Sequence, residues 1–368
     1  MILGIDPSTF VEQKRIANSK YYKDGKEINP FFEIKKNSVT HLRLRIWNNP
    51  HDENGNDYLA GTCDVDSTIE LHNLVKEFGF KYIIDFHYSD FWADPAKQYL
   101  PKAWANYSLE QLEIAIYDFT KESLIKLKNA GLDVEFVQIG NEITNGMCWP
   151  IGKITEDKKA SYDSIARMII SGIKAAKEVY PEVKEILHLE KSYDQETYRE
   201  YISNMLERGV PIDVLGSSYY PFWHHTFEEY FANMDMVQRE FHLPVMNAEL
   251  GFAFTLEDYK EGENGKKKHL VINADNIEEF KKMMPYECSP EGQATFVREF
   301  LRLAKEHNLI GVNYWEPFWI PGDGICWASD AAQKYMHTEA KDTRNEWANQ
   351  CLFDYEGNML PSFMEYKL

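Results

Sequence analysis

The stretch VQIGNEI, residues 137–143, decides how the rest of the chain is read. Val137, Ile139 and Ile143 suit a buried strand. Asn141 and Glu142 do not, because glutamate is almost never fully buried unless it is paired. An apolar run ending in an amide and a carboxylate fits a strand whose last residues open onto a mouth. Seven further β-rich runs are strand candidates, Ile2–Ile5, His41–Trp47, Tyr82–His87, Glu185–Leu189, Val214–Tyr219, Pro244–Ala248 and Ile310–Trp315, and an eighth, Glu135–Gly140, runs into the opening motif. Several are near-continuous apolar runs, as strands covered on both faces should be.

Amphipathic stretches lie between these strands: Thr68–Phe78, Leu109–Ala130, Asp157–Tyr180, Gln195–Arg208, Phe227–Phe241 and Pro290–His307. Ser108 and Ser289 stand where helix caps are expected, the second followed by Pro290 in the first turn. Eight strands alternating with helices predict a (β/α)8 barrel. A doubly wound open sheet is the alternative, but no GxGxxG follows the first strand to support a dinucleotide-binding version. No low-complexity linker divides the 368 residues, so one catalytic domain over 1–368 is expected. Its long loops follow strand seven (Thr255–Glu291, with lysine-rich Lys266–His269 as a solvated piece) and strand eight (Pro317–Gln350, carrying Trp319, Trp327 and Trp347).

In such a barrel the C-terminal strand ends form the active face. Here they read Arg43-Leu-Arg45-Ile-Trp47, Asp85-Phe-His87-Tyr88-Ser-Asp90, Asn141-Glu142, His188 to Glu190, Tyr219-Tyr220, Asn247-Ala-Glu249 and Tyr314-Trp315-Glu316. One polar strand end is unremarkable, but so many together point to a ligand site. Glu142 and Glu249 form the sharpest pair. Glycoside hydrolysis needs two carboxyl groups, one to protonate the leaving oxygen and one to meet the developing oxocarbenium ion. A gap of about 5–5.5 Å implies retention and about 6.5–9.5 Å inversion, which sequence does not measure. Arg45 is positioned to keep one carboxylate ionised.

Composition narrows the alternatives. A net charge of −19, from 59 acidic and 40 basic residues, argues against nucleic acid. The 9 Trp, 22 Tyr and 21 Phe fit either a stacking ligand such as a sugar or an aromatic-rich core. Cys63, Cys148, Cys288, Cys326 and Cys351 show no CxxC spacing and read as free thiols. His41, His87, His188, His224 and His225 are scattered, with no HExxH pattern, so no metal site is expected from them. No GxSxG elbow supports a serine nucleophile. No apolar run is long enough to span a membrane. The start, MILGID, lacks a leader-like segment, so the chain as it stands is expected to be cytoplasmic; a secreted protein trimmed of its leader would read the same.

Longer motifs carry a resemblance: GIDPS (4–8), LRLRIWNNP (42–50), DFHYSDFWADPAKQYLPKAW (85–104), QIGNEITNGMCWPIG (138–152), YYPFW (219–223), SPEGQ (289–293) and YWEPFWIP (314–321). The chain resembles glycoside hydrolase family 53, the arabinogalactan endo-β-1,4-galactanases, over nearly its whole length. The resemblance implies a retaining (β/α)8 glycosidase acting on β-1,4-galactan or derived galacto-oligosaccharides. It casts Glu142 as acid/base, Glu249 as nucleophile, and Asn141 as the partner of the sugar 2-OH. It places Arg45 beside the nucleophile, Tyr220 in contact with it, and Trp315 beneath the sugar at the cleavage point. Asp85, His87, Asp90, Trp92, Asp94, Trp149 and His188 become expected substrate-side residues; Trp104 fits either the site or the core.

Departures from the family pattern are specific. Ala248 stands where a threonine usually precedes the nucleophile. Glu190-Lys-Ser-Tyr193 replaces an Asp-Asn-Gly-Trp type segment. Bacterial members can carry calcium in the loop after strand seven, joined to the C-terminal segment. The matching TLEDYKEGEN (255–264) keeps Asp258 and Asn264, but Lys260, Gly262 and Ala348 stand where ligands are expected. Calcium needs six to eight oxygens, so that site is expected to be lost or rebuilt, and no cofactor is expected. The expected partner is the glycan alone, bound by a monomer. The alternatives are an oligosaccharide-preferring or other β-1,4-glycanase on the same machinery, or a non-catalytic galactan-binding protein.

Overall fold

Eight parallel strands close into a barrel in the computed structural model, which describes residues 1–260, 269–340 and 342–368. They are β1 (Ile2–Asp6), β2 (His41–Ile46), β3 (Lys81–Phe86), β4 (Val134–Ile139), β5 (Lys184–Leu189), β6 (Val214–Tyr219), β7 (Val245–Leu250) and β8 (Gly311–Trp315). Each pairs with its sequence neighbours, and β1 closes the ring between β8 and β2. Every expected strand is present, with ends displaced by no more than two residues.

The helical layer follows from amphipathic runs with defined caps: α1 (Pro30–Lys36), α2 (Val65–Val75), α3 (Leu109–Ala130), α4 (Lys158–Val179), α5 (Gln195–Glu207), α6 (Phe227–Phe241) and α7 (Pro290–Glu306). Ser108 caps α3 reciprocally with Gln111, and α3 stops at Gly131, whose φ of 96° a glycine adopts without strain. Ser289 accepts from Gly292 N at the start of α7. Helix α2 begins three residues before its expected start, because Asp64 supplies the cap. The connection from β1 to β2 differs from the sequence reading. It holds α1, a helix at Phe10–Ile16 and a hairpin of Tyr21–Lys23 with Lys26–Ile28. Seven-residue helices are too short to show a clear period; the Asn29-Pro30 cap was the available signal.

Leu42, Leu44, Val137, Ile139, Leu187 and Leu189 point from the barrel wall into the core beneath the helices. Inside the barrel, Ile83, Phe136, Ile186, Val214 and Met246 form a separate apolar floor. Above that floor the interior turns polar. The five cysteines are free. No helix among the described residues is long and apolar enough to cross a membrane. Lys266–Lys268 of the lysine-rich piece and Gly262 and Asn264 of the calcium-type loop lie outside the described residues.

Candidate active site

Two buried arginines organise the polar layer. Arg43 ion-pairs with Asp6 (2.7 Å) and Asp85 (2.8 Å), and its Nη2 reaches Glu249 Oε1 and Asn141 Oδ1, each at 3.0 Å. Arg45 lies one pleat further towards the mouth, bound to Glu316 (2.6 Å) and to the Ala60 carbonyl (3.0 Å). A buried guanidinium persists only when its charge is matched, and these carboxylates match it. The arginine beside Glu249 is therefore Arg43, not the expected Arg45. Both point inward from β2 because residues two apart share a face. Arg45 still borders the cleft, its guanidinium 4.5 Å from the Trp92 ring.

Backbone irregularities aim both glutamates inward. Along β7, Met246 and Ala248 face the barrel interior, so simple alternation would turn Glu249 outward. The pairing with β6 slips at this point: Ser217 is opposite Asn247, but Ser218 is opposite Glu249. That bulge returns Glu249 to the mouth, a recognised use of bulges. Glu142 follows Gly140 and Asn141 at the end of β4 and adopts φ 49°, ψ 54°, in the left-handed region. A non-glycine residue there carries strain of order 1–3 kcal/mol and is a feature of functional sites.

Carboxylate oxygens of Glu142 and Glu249 lie within 4.8 Å of each other. Tyr220 Oη donates to Glu249 Oε2 at 2.8 Å, and Ser218 Oγ donates to Glu142 Oε1 at 2.6 Å. Burial pushes the Glu142 carboxyl well above the usual range, and the charges of Glu249 and Glu190 add to it. Burial raises Glu249 as well, but the Arg43 guanidinium and the Tyr220 hydroxyl oppose the rise. Glu142 is the group poised to hold a proton and Glu249 the one poised to stay ionised.

The pair lies in a cleft of about 280 Å³ walled by Trp92, Trp223, Trp315, Trp319, Trp327 and Trp347. Among the expected substrate-side residues, Arg45, His87, Trp92, Asp94, Asn141, Tyr220 and Trp315 border it. Four others do not. Asp85 lies beneath, between Arg43 and His87. His188 is fully buried among Gln138, Asn141 and Ser218. Asp90 accepts from Asn49 N (3.0 Å), Lys102 N (2.7 Å) and Lys102 Nζ (2.9 Å), so it ties two loops together. Trp149 turns away, donating to the Asn145 carbonyl under the Lys153 ammonium. Trp104 packs on Phe119 in the core. Sequence reasoning missed Arg43's role, Ser218, Trp223, Lys97 and Glu346. The cleft-lining Glu346 carboxyl is raised to about 7 by burial, with Lys97 opposing. No local pattern marks a serine in a strand or a glutamate in a long loop as cleft-facing.

Glu142, His188 and Glu249 bring one possible ligand atom each within 4.8 Å, but both His188 ring nitrogens are engaged by neighbouring side chains. In the calcium-type loop, Asp258 Oδ2 pairs with His269 Nδ1 at 2.8 Å, and His269 Nε2 faces the Asn345 carbonyl at 3.2 Å. An imidazole occupies the acidic oxygen, and Ala348 is buried with none to offer. The described donors do not compose a calcium shell.

A carboxyl pair at retaining distance, with one member held by a cation, in an aromatic cleft on a (β/α)8 barrel is the arrangement of a glycoside hydrolase. Comparison with known proteins narrows this class. The model of glycosyl hydrolase family 53 matches residues 2–366, and the chain belongs to that family. It is 33% identical to an endo-beta-1,4-galactanase of Bacillus subtilis (strain 168), covering all of this chain and 85% of that protein. The solved GH53 catalytic domain from Ignisphaera aggregans superposes with a TM-score of 0.87 at 33% identity, over 99% of this chain and 95% of that one. A fungal beta-1,4-galactanase structure gives 0.76 at 27% identity, over 100% and 98%.

Proposed function

We propose that this family 53 glycoside hydrolase cleaves β-1,4-galactosidic bonds of galactan by double displacement. Glu249 attacks the anomeric carbon while Glu142 protonates the leaving oxygen; Glu142 then takes a proton from the water that releases the galactosyl-enzyme. The carrying observation is the approach of the two carboxylates within 4.8 Å, too close to leave an inverting enzyme room for its water. The galactanase names of its relatives support galactan as the substrate class. Asn141 donates one amide hydrogen to the Ala93 carbonyl, which turns its second towards the cleft and a sugar hydroxyl. The purified protein should release reducing ends from β-1,4-galactan, and proton NMR should show the β-anomer first. A first-formed α-anomer would contradict the mechanism, and release from another β-1,4-glycan alone would contradict the substrate.

A further inference from the structure

Glu142 is reached by a chain of hydrogen bonds that the double displacement, as described, leaves unused. Ser218 on β6 donates to Glu142 Oε1, and His188 on β5 places Nε2 2.9 Å from Ser218 Oγ. The other ring nitrogen, Nδ1, lies 2.9 Å from Gln138 Nε2 and 3.4 Å from the Glu142 backbone N–H. Both neighbours are donors. The Gln138 amide has only one workable orientation, because its Oε1 accepts from Arg43 Nε and Nη2 at 3.2 Å and its Nε2 donates to Asp85 at 2.7 Å. Asn141 Oδ1, 3.0 Å from the same nitrogen, already accepts from Arg43.

The Ser218 hydroxyl has a single proton. If His188 carried its proton on Nδ1, that hydroxyl would have to serve both Nε2 and Glu142. With the proton on Nε2, every link has one donor and one acceptor, whichever state Glu142 is in. Burial and the nearby Arg43 charge hold the imidazole pKa well below its usual value, so the ring is neutral and the choice of nitrogen matters.

We propose that His188 and Ser218 are positioning residues: His188 Nε2–H fixes the rotation of the Ser218 hydroxyl, and that hydroxyl reserves Glu142 Oε1 as an acceptor, so that the transferable proton resides on Oε2. Among the described residues no side chain holds Oε2 by a hydrogen bond. The inference rests on Glu142 being the acid/base. Among the described residues, the titratable groups facing it are His188 itself on β5, Glu249 on β7, Glu190 after β5, Asp94 after β3 and the phenols of Tyr198 and Tyr220. Burial first and then the three carboxylates raise its pKa, and the Ser218 hydrogen bond opposes them.

Ser218→Ala therefore has two linked effects. It frees the proton to sit on either oxygen, and it extends the acid form of Glu142 to higher pH. For a galactan oligomer, whose leaving group needs the acid, kcat/KM should fall about 10- to 100-fold, while an aryl galactoside with a nitrophenolate leaving group should fall less than about threefold. The basic limb of the pH profile should move upward. Equal losses on both substrates with an unmoved limb would overturn the inference. A second measurement needs no variant: nitrogen-15 NMR of the wild-type imidazole should show the neutral Nε2–H tautomer between about pH 5 and 8. An Nδ1–H tautomer or an imidazolium would overturn it equally. Glu142→Ala is the control. It should show the same leaving-group split, and if it does not, the assignment of Glu142 as the acid is what fails.

Discussion

Glu249 and Glu142 are the same side chain at the same barrel mouth, yet their two sides of the cleft differ in charge. On the Glu249 side, Arg43 brings a cation to 3.0 Å and Tyr220 a hydroxyl to 2.8 Å. On the Glu142 side there is a serine hydroxyl, a third carboxylate at Glu190 that accepts from Thr144, and no cation within ion-pair distance among the described residues. The Glu190 carboxyl is raised to about 7, burial being the cause and the Thr144 hydrogen bond opposing it. Neighbours, not residue type, set the two roles. The cation's side makes a nucleophile and the side crowded with acids makes an acid.

The largest test of this asymmetry removes each carboxylate. Glu249→Ala should lower kcat by roughly 10⁴- to 10⁶-fold on every substrate, as loss of a covalent nucleophile does elsewhere. Glu142→Ala should lower kcat/KM by roughly 10²- to 10⁴-fold only where the leaving group needs a proton, while its kcat should fall on every substrate, because Glu142 also activates the water that releases the glycosyl-enzyme. The kcat/KM values on polymer and on an aryl glycoside separate the two. A Glu249→Ala enzyme with near-normal turnover would end the assignment.

A smaller effect tests which arginine sets the asymmetry. Arg43→Lys keeps a charge but not the geometry that holds Asp6, Asp85 and Glu249 together. Glu249 must be ionised to attack, and Arg43 lowers its pKa, so the acidic limb of the kcat/KM profile should move to higher pH. Arg45→Lys should leave that limb in place. Tyr220→Phe should move it in the same direction as Arg43→Lys by about one unit or less, since one hydrogen bond to a charged group is lost. The smallest effect belongs to the cleft wall. Trp223 is about half exposed at the rim. Trp223→Ala should raise KM for longer oligosaccharides by about 2- to 10-fold, the value of one aromatic contact, with kcat unchanged.

The barrel was legible because alternation of β-rich and amphipathic runs is local, and caps such as Ser108 and Ser289 mark helix starts. The glutamate pair was legible because each ends a strand. Arg43 and Arg45 could not be ranked, because period-two alternation puts both inside and their order is set by the partners they meet across the barrel. Asp90 looked like a ligand-binding acid but is consumed by two backbone amides and a lysine of the neighbouring loops. The inward aim of Glu249 depends on a bulge at Ala248 and that of Glu142 on a left-handed backbone, and neither has a residue-type signature without glycine. Ser218 and His188 acquire meaning only from the direction of their hydrogen bonds.

The division of labour between the carboxylates can be tested by trapping. A 2-deoxy-2-fluoro-galactoside with an activated leaving group slows release of the glycosyl-enzyme, and mass spectrometry of the digested protein locates the sugar. The account predicts one added sugar on the peptide bearing Glu249. A sugar on the peptide bearing Glu142, or turnover with no covalent adduct, would contradict it.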